Sequence, residues 1–361
     1  MSTQHKVFLA GASGLLAGEF LRLLGGHTDL QLAGAYTRSG GQDLCKLHPH
    51  LVFDSGTPVT VEFKCLADDL ARALEAHPED APSKVVLLLG LPHGQSAPWW
   101  AANRDRFEDH ADVLVVIDLS ADFRLQDAAT YQETYGLAHA CPDELGHWAY
   151  GLPELHTLPP GCKRVAVPGC FATAMQLAVL PAARAGLLDS SKSWIIQGVT
   201  GSSGSGAHAS QGTHHPHRHG NFKAYGLGGH RHEAELIAPR NFVNAPDVDF
   251  TPHSGSFSRG IFLHAILPLN ANGDADSIRN QYAQHYKVQP FVAVQEATPE
   301  LRQVAASNRA LIGISTRGSN LHAICVIDNT LKGGAGQAMQ CLNLVLGLPQ
   351  ETALPLSGLG Y

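Results

Sequence analysis

In the first half of the chain, apolar residues fall in short unbroken runs rather than alternating with polar ones. Residues 84–91 read KVVLLLGL and residues 112–123 read DVLVVIDLSADF. Such runs suit parallel strands buried on both faces. The opening stretch KVFLAGASGLLAGEFLRLL predicts a strand over residues 6–10, a glycine turn, and a helix from near Ser13 to Leu24 with its apolar residues around one face. LQLAGAYTRSG predicts a second strand ending at Thr37, Arg38 and Ser39, and RVAVPGC another. Strands alternating with helical segments predict a doubly wound, Rossmann-type parallel sheet in an α/β protein.

After about residue 192 the pattern changes. WIIQGVTGSSGSGAHASQGTHHPHRHGNFKAYGLGGHRHEAEL is rich in Gly, Ser and His. FSRGIFLHAILPL and LHAICVIDNTL have the alternation of antiparallel strands with unlike faces, and KGGAGQAMQCLNLVLGLP reads as a glycine loop followed by a helix closed by Gly347 and Pro349. The 361 residues exceed what one core usually holds, so two domains are expected.

Composition narrows the class. With 44% hydrophobic and 16% charged residues and 37 Gly, the chain reads as globular. Its net charge of -7, with no long basic run, gives no support to nucleic-acid or anionic-membrane binding. No run reaches the ~18 apolar residues of a membrane span and the N-terminus has no leader pattern, so a cytoplasmic location is expected. The seven cysteines are scattered and lack C-x-x-C spacing, which argues against a disulfide framework or a cysteine zinc site.

Three stretches carry candidate chemistry. Gly11, Gly14 and Gly18 form a variant dinucleotide fingerprint, in which glycine admits a pyrophosphate and the helix start faces the anion. The second strand ends not in an acidic residue but in Thr37, Arg38 and Ser39, which suit a 2′-phosphate and point to NADP(H). Cys170 stands where a strand gives way to a helix beginning near Phe171, and the positive end of that helix favours thiolate, the nucleophilic form. His230 and His232 are candidate bases, sharing one face if their segment is extended and separating if it is helical, with Glu233 and Glu235 available to orient them. The run THHPHRH invites a metal, yet it has no H-E-x-x-H and no spaced Cys or Asp partner, so no metal is expected. GSSGSG lacks the second glycine of a nucleophile elbow; it reads as an anion nest of backbone amides or as a hinge.

The segments GASGLLAGEFLRLL, LPHG, VIDLSADFRL, YGLPEL, PGC, GHRHEAEL, SRGI and DNTLKGGAGQAMQCLNLVLGLP occur in an order that resembles the N-acetyl-gamma-glutamyl-phosphate reductase family over nearly the whole chain. That family is related to aspartate-semialdehyde dehydrogenase and serves arginine biosynthesis. The resemblance implies an NADP-binding Rossmann domain over 1–168, an α+β catalytic domain with a mixed or antiparallel sheet over 169–328, and a C-terminal helix over 329–361 returning to the first domain. It implies Cys170 as nucleophile and His232 as acid/base, with Arg124, Tyr225, His230 and Glu235 lining the substrate site. Gly11, Ser13 and Gly14 would cradle the pyrophosphate, Thr37, Arg38 and Ser39 the 2′-phosphate, and Pro92 and Asn329 would lie on the cofactor. The amides of residues 201–206 would hold the departing phosphate. A homodimer or homotetramer is implied.

The chain also departs from the family pattern. Phe171-Ala172 stands where many members have Tyr-Pro. The long TGSSGSGAHASQGTHHP segment is similar to that of a subset including lysine-route reductases, whose aminoadipyl substrate is one methylene longer and carried by a small acidic protein. A methylene is worth only about 1–3 kcal/mol of discrimination, while a charge of -7 disfavours an acidic carrier. Two readings from other classes stay open: a His-rich metallohydrolase, sensitive to chelators and indifferent to thiol alkylation, and a non-catalytic NADP-binding regulator in which Cys170 is dispensable.

Overall fold

The structure is a computed structural model that describes residues 4–53, 56–78 and 81–360. It divides into two compact units. The first comprises Met1–Gly151, Leu158–Val167 and Ala335–Leu354; the second comprises Leu152–Thr157, Pro168–Gly334 and Pro355–Tyr361.

In the first unit seven parallel strands form one sheet. They are β1 (His5–Ala10), β2 (Leu30–Thr37), β3 (Val61–Glu62), β4 (Val85–Leu89), β5 (Leu114–Asp118), β6 (Ala149–Tyr150) and β7 (Arg164–Ala166), in the order β3-β2-β1-β4-β5-β7-β6. All ten residues of β4 and β5 are buried, as their unbroken apolar runs require. The strand order reverses between β1 and β4, and open sheets of this kind take ligands at the carboxyl ends beside such a switch. On one face Leu66, Leu70, Leu74, Trp100 and Phe107 pack with the strands, and Phe123 stacks on Trp148 with centroids 3.9 Å apart. The closing helix Gly336–Val345 belongs to this unit, where His27 Nε2 and Asn343 Oδ1 meet at 3.0 Å.

The second unit holds a mixed seven-stranded sheet. Its strands are β8 (Trp194–Thr200), β9 (Lys223–Ala224), β10 (Val248–Ser254), β11 (Ile261–Pro268), β12 (Val292–Gln295), β13 (Ala310–Arg317) and β14 (Asn320–Ile327), in the order β12-β13-β14-β11-β8-β10-β9. β8 pairs parallel with β10 and β12 with β13; the other pairs are antiparallel. β11 alternates buried and half-buried residues, so one face is a core face. The helix Cys170–Arg184 lies there. Gly198 of β8 makes room for it: a β-carbon at Gly198 would come within 2.4 Å of the Phe171 ring.

That helix contains Pro181, which has no N–H to offer the carbonyl of Leu177 one turn earlier. The Tyr286 hydroxyl donates to that carbonyl instead, at 2.8 Å, and the Tyr282 hydroxyl donates to the carbonyl of Ala178 at 2.6 Å. Both tyrosines sit on or just after the helix Ala275–His285, which thereby docks beside the first. Among the described residues no helix is long and apolar enough to cross a membrane.

Candidate active site

Cys170 is the first residue of its helix, one position earlier than the sequence suggests, because Gly169 adopts the extended conformation of an N-cap. No side chain caps the helix start, so amide donors of the first turn and the helix dipole face the thiol. Gly169 also explains the P-G-C order. A β-carbon there would come within 2.3 Å of His232 Nε2 and 2.8 Å of Glu235 Oε1. Both side chains rest on the bare backbone beside Cys170. The buried Glu235 carboxylate accepts the Gly169 N–H at 3.1 Å, so it ties the histidine segment to the elbow that carries Cys170.

His230 and His232 lie in turns just before the short helix Glu233–Leu236. Neither of the two regular conformations considered for this segment applies, yet the rings meet edge to face with centroids 4.8 Å apart. The His232 N–H donates to His230 Nδ1 at 3.3 Å, and the His230 N–H donates to the Glu233 carboxylate at 2.6 Å. Burial pushes His230 down to about 4, so it is a neutral ring near pH 7. Tyr225 stands 6.0 Å from His230, ring to ring. Burial, and then the charge of Cys170, push the Tyr225 phenol up to about 12, which keeps it a hydrogen-bond donor. The fold therefore gathers Cys170, Tyr225, His230, His232 and Glu235 in one unit.

Asn329 belongs to that unit too. Its Oδ1 accepts the Gly260 N–H at 2.6 Å and its Nδ2 donates to Ser203 Oγ at 3.0 Å, so its amide anchors the serine-glycine loop. That loop is not the anion nest considered from the sequence. The amides of Gly201, Ser202, Ser203, Gly204 and Gly206 donate to carbonyls of Gly260, Phe257, Ser258, Gly201 and Ser203, which takes them away from any phosphate. Gly333, in the stretch read from the sequence as a glycine loop, presses on Cys170: a β-carbon there would come within 2.7 Å of Cys170 Cβ. It lies in a π-helical turn, Leu331–Ala335, a form that clusters at functional sites.

The remaining candidates lie in the first unit. Gly11 has φ +73°, and a β-carbon there would meet the Gly90 carbonyl oxygen at 2.2 Å, so only glycine lets β1 turn beside β4. The first helix begins at Leu15 rather than near Ser13, because Gly14 is its extended N-cap, again with no side-chain cap. Ser13 is exposed. The Ala12 and Gly14 amides are taken by the carbonyls of Tyr36 and Gly11, so what fits a pyrophosphate here is the helix start, which no side chain caps, beside the switch point. Gly18 serves a different end: the His48 ring occupies the space its β-carbon would need, while His48 Nε2 meets the Ala12 carbonyl at 2.7 Å. Thr37 is buried, its hydroxyl donating to Thr60 Oγ1 at 3.2 Å and accepting the Gly40 N–H, whereas Arg38 and Ser39 are exposed.

Pro92 is exposed in the turn after β4. Two buried carboxylates organise that turn. Asp122 accepts the N–H of Gly94 at 2.7 Å and of Ala97 at 2.9 Å, and Asp118 accepts from Ser96 Oγ at 2.8 Å and Ser120 Oγ at 2.7 Å. Burial and the neighbouring Asp122 push Asp118 up to about 6. Arg124, 4% exposed, donates from Nη2 to the Leu119 carbonyl at 2.9 Å. In the His-rich stretch the rings of His215 and His219 come within 5.0 Å, but among the described residues no group of three His, Cys, Asp or Glu could hold a metal ion.

Known proteins resemble the chain throughout. Residues 6–158 match the family described as semialdehyde dehydrogenase, NAD binding domain, and residues 170–329 match semialdehyde dehydrogenase, dimerisation domain. The chain is 37% identical to the N-acetyl-gamma-glutamyl-phosphate reductase of Saccharopolyspora erythraea, over 98% of each chain. It is also 37% identical to that of Thermobifida fusca, over 97% of each. Among solved structures, aspartate semialdehyde dehydrogenase II of Vibrio cholerae, complexed with ASA, aligns with a TM-score of 0.65 at 16% identity, covering 96% of this chain and 99% of that one. That likeness speaks for the fold.

Proposed function

The chain belongs to the N-acetyl-gamma-glutamyl-phosphate reductase family and is an oxidoreductase with a nicotinamide-binding domain; from that premise we propose that it reduces N-acetyl-gamma-glutamyl phosphate to N-acetylglutamate 5-semialdehyde and phosphate, using NADPH and a thioester on Cys170. The observation that carries the reading is the uncapped helix start at Cys170 with His232 and Glu235 seated on Gly169. We assign the reaction to arginine biosynthesis in the cytoplasm, performed by a homo-oligomer.

His232 takes the thiol proton, and the sulfur attacks the acyl carbon. The carbon–oxygen bond to phosphate breaks, its electron pair leaves with phosphate, and phosphate gains a proton from water. NADPH, when bound, would supply the hydride that the thioester carbon receives. His232 returns its proton to the carbonyl oxygen, giving a thiohemiacetal on Cys170. When His232 removes that proton again, the carbon–sulfur bond breaks toward sulfur and the aldehyde departs. His230 and Tyr225 stay neutral throughout and serve as hydrogen-bonding walls. Arg124, whose Nη2 also donates to the Leu119 carbonyl, is assigned to a carboxylate or phosphate of the substrate. Gly11, Ser13, Gly14, Pro92 and Asn329 hold the cofactor, and Arg38 and Ser39, exposed where β2 ends, take the 2′-phosphate.

The reverse reaction tests this. The protein is mixed with N-acetylglutamate 5-semialdehyde, phosphate and NADP+, and nicotinamide reduction is followed. Phosphate-dependent reduction that thiol alkylation abolishes is the expected result. Faster turnover of the aldehyde one methylene longer would assign the chain to the aminoadipyl reaction. Silence with both, in protein that binds NADP+, would overturn the reading.

A further inference from the structure

The YGLPEL motif has no part in the chemistry above, yet its last four residues fall in Leu152–Thr157, which belongs to the same unit as Cys170. It is stitched to both elements that converge on the nucleophile. Toward the Cys170 helix, His156 Nε2 meets Gln176 Oε1 at 3.2 Å, and Arg184 donates to the Leu155 carbonyl at 2.9 Å. Toward the π-helical turn, the Glu154 carboxylate accepts from Lys332 Nζ at 2.5 Å, with both side chains wholly buried. Lys332 Nζ also lies 5.4 Å from the centre of the Phe291 ring. Lys332 immediately precedes Gly333, the residue packed on Cys170 Cβ.

The residues leading into the turn are held as firmly. Asp328 Oδ1 accepts the N–H groups of Thr330 and Leu331, while Arg259 Nε donates to Asp328 Oδ2 at 2.6 Å. The chain entering the turn is thus fixed at residues 328 to 332, immediately before the glycine that touches the thiol-bearing carbon. A buried ion pair adds little net stability, because desolvation offsets the attraction; what it does supply is a fixed length and direction.

We infer that Glu154 and Lys332 are positioning residues for Cys170: segment Leu152–Thr157 is a splint that fixes the π-helical turn against the start of the catalytic helix. This rests on the reading of Cys170 as nucleophile. A displacement of about 1 Å at a reacting atom costs on the order of 100-fold in rate, so the pair sets kcat rather than substrate affinity.

The test compares the double variant Glu154→Leu/Lys332→Met with wild type. An apolar pair of similar volume leaves the melting temperature near the wild-type value. The proposal expects kcat to fall about 10- to 100-fold, with KM within about twofold, and the rate of Cys170 alkylation by iodoacetamide to shift across its pH profile. Wild-type kcat and an unchanged alkylation profile in the folded double variant would overturn it. Should that variant fail to fold, Glu154→Asp carries the test, since it keeps the charges and shortens the reach; wild-type kcat there overturns the proposal. Cys170→Ser is measured beside them. If it turns over at the wild-type rate, the thioester chemistry fails, while the alkylation profiles of the Cys170-containing proteins still judge the splint.

Discussion

The imidazole of His232 stands on Gly169: the space a β-carbon would fill there is taken by Nε2, 2.3 Å away. Gly169 has φ -66° and ψ 149°, values any residue adopts. The glycine is present for the close approach and not for backbone freedom. Gly169→Ala is therefore expected to displace His232 and Glu235 without straining the chain. Steady-state kinetics should give a kcat loss of about 10- to 100-fold, with cofactor binding unchanged. Full activity in this variant would mean that His232 does not need its seat.

Cys170→Ser replaces the proposed nucleophile with a hydroxyl that a helix start does not ionise. Turnover should fall by at least about 10³-fold, while NADP(H) titrations followed by fluorescence stay at the wild-type Kd. Wild-type turnover would remove the thioester from the mechanism.

Arg38 is exposed at the end of β2, where a 2′-phosphate would arrive. Arg38→Asp should lower kcat/KM for NADPH by at least about tenfold and leave NADH little changed, by loss of a bidentate charged contact. An unaltered NADPH/NADH ratio would move the 2′-phosphate elsewhere.

Two buried groups make stability depend on pH in opposite senses. Burial pushes His156 down from 6.5 to about 4. Below pH 6.5 the unfolded chain binds a proton that folded His156 refuses, so this group lowers stability as pH falls from 6.5 toward 4. Asp118 is pushed up from 3.8 to about 6, so between those values the folded state binds the extra proton and stability rises as pH falls from 6 toward 3.8. Melting curves from pH 7.5 to 4.5 should find His156→Gln gaining on wild type as acid is added and Asp118→Asn losing ground. Parallel curves would refute both assignments.

What the sequence reveals depends on the range of the interaction. β4 and β5 are legible because a strand buried on both faces has no polar partner to break its run. The glycine turn at Gly11 is legible because it lies between a strand and a helix. The seat under His232 is not, since it joins Gly169 to a turn more than sixty positions away, and side chains in a turn follow no period. Asp118 and Asp122 are not legible as anchors of the turn after β4, because Ser96 and Ala97, from which they accept, lie 22 and 25 positions away. The anion nest at residues 201–206 fails for a similar reason: local glycines suggest free amides, and carbonyls of residues 257–260 and of the loop itself claim them.

Pro181 gives the last consequence. The helix that begins at Cys170 cannot complete its own ladder, since the bond at Leu177 comes from Tyr286, 109 positions along the chain. A ribosome-bound chain that has not yet reached Tyr286 lacks this donor for the Leu177 carbonyl, so the helix gains its full set of bonds only after 109 further residues have been made.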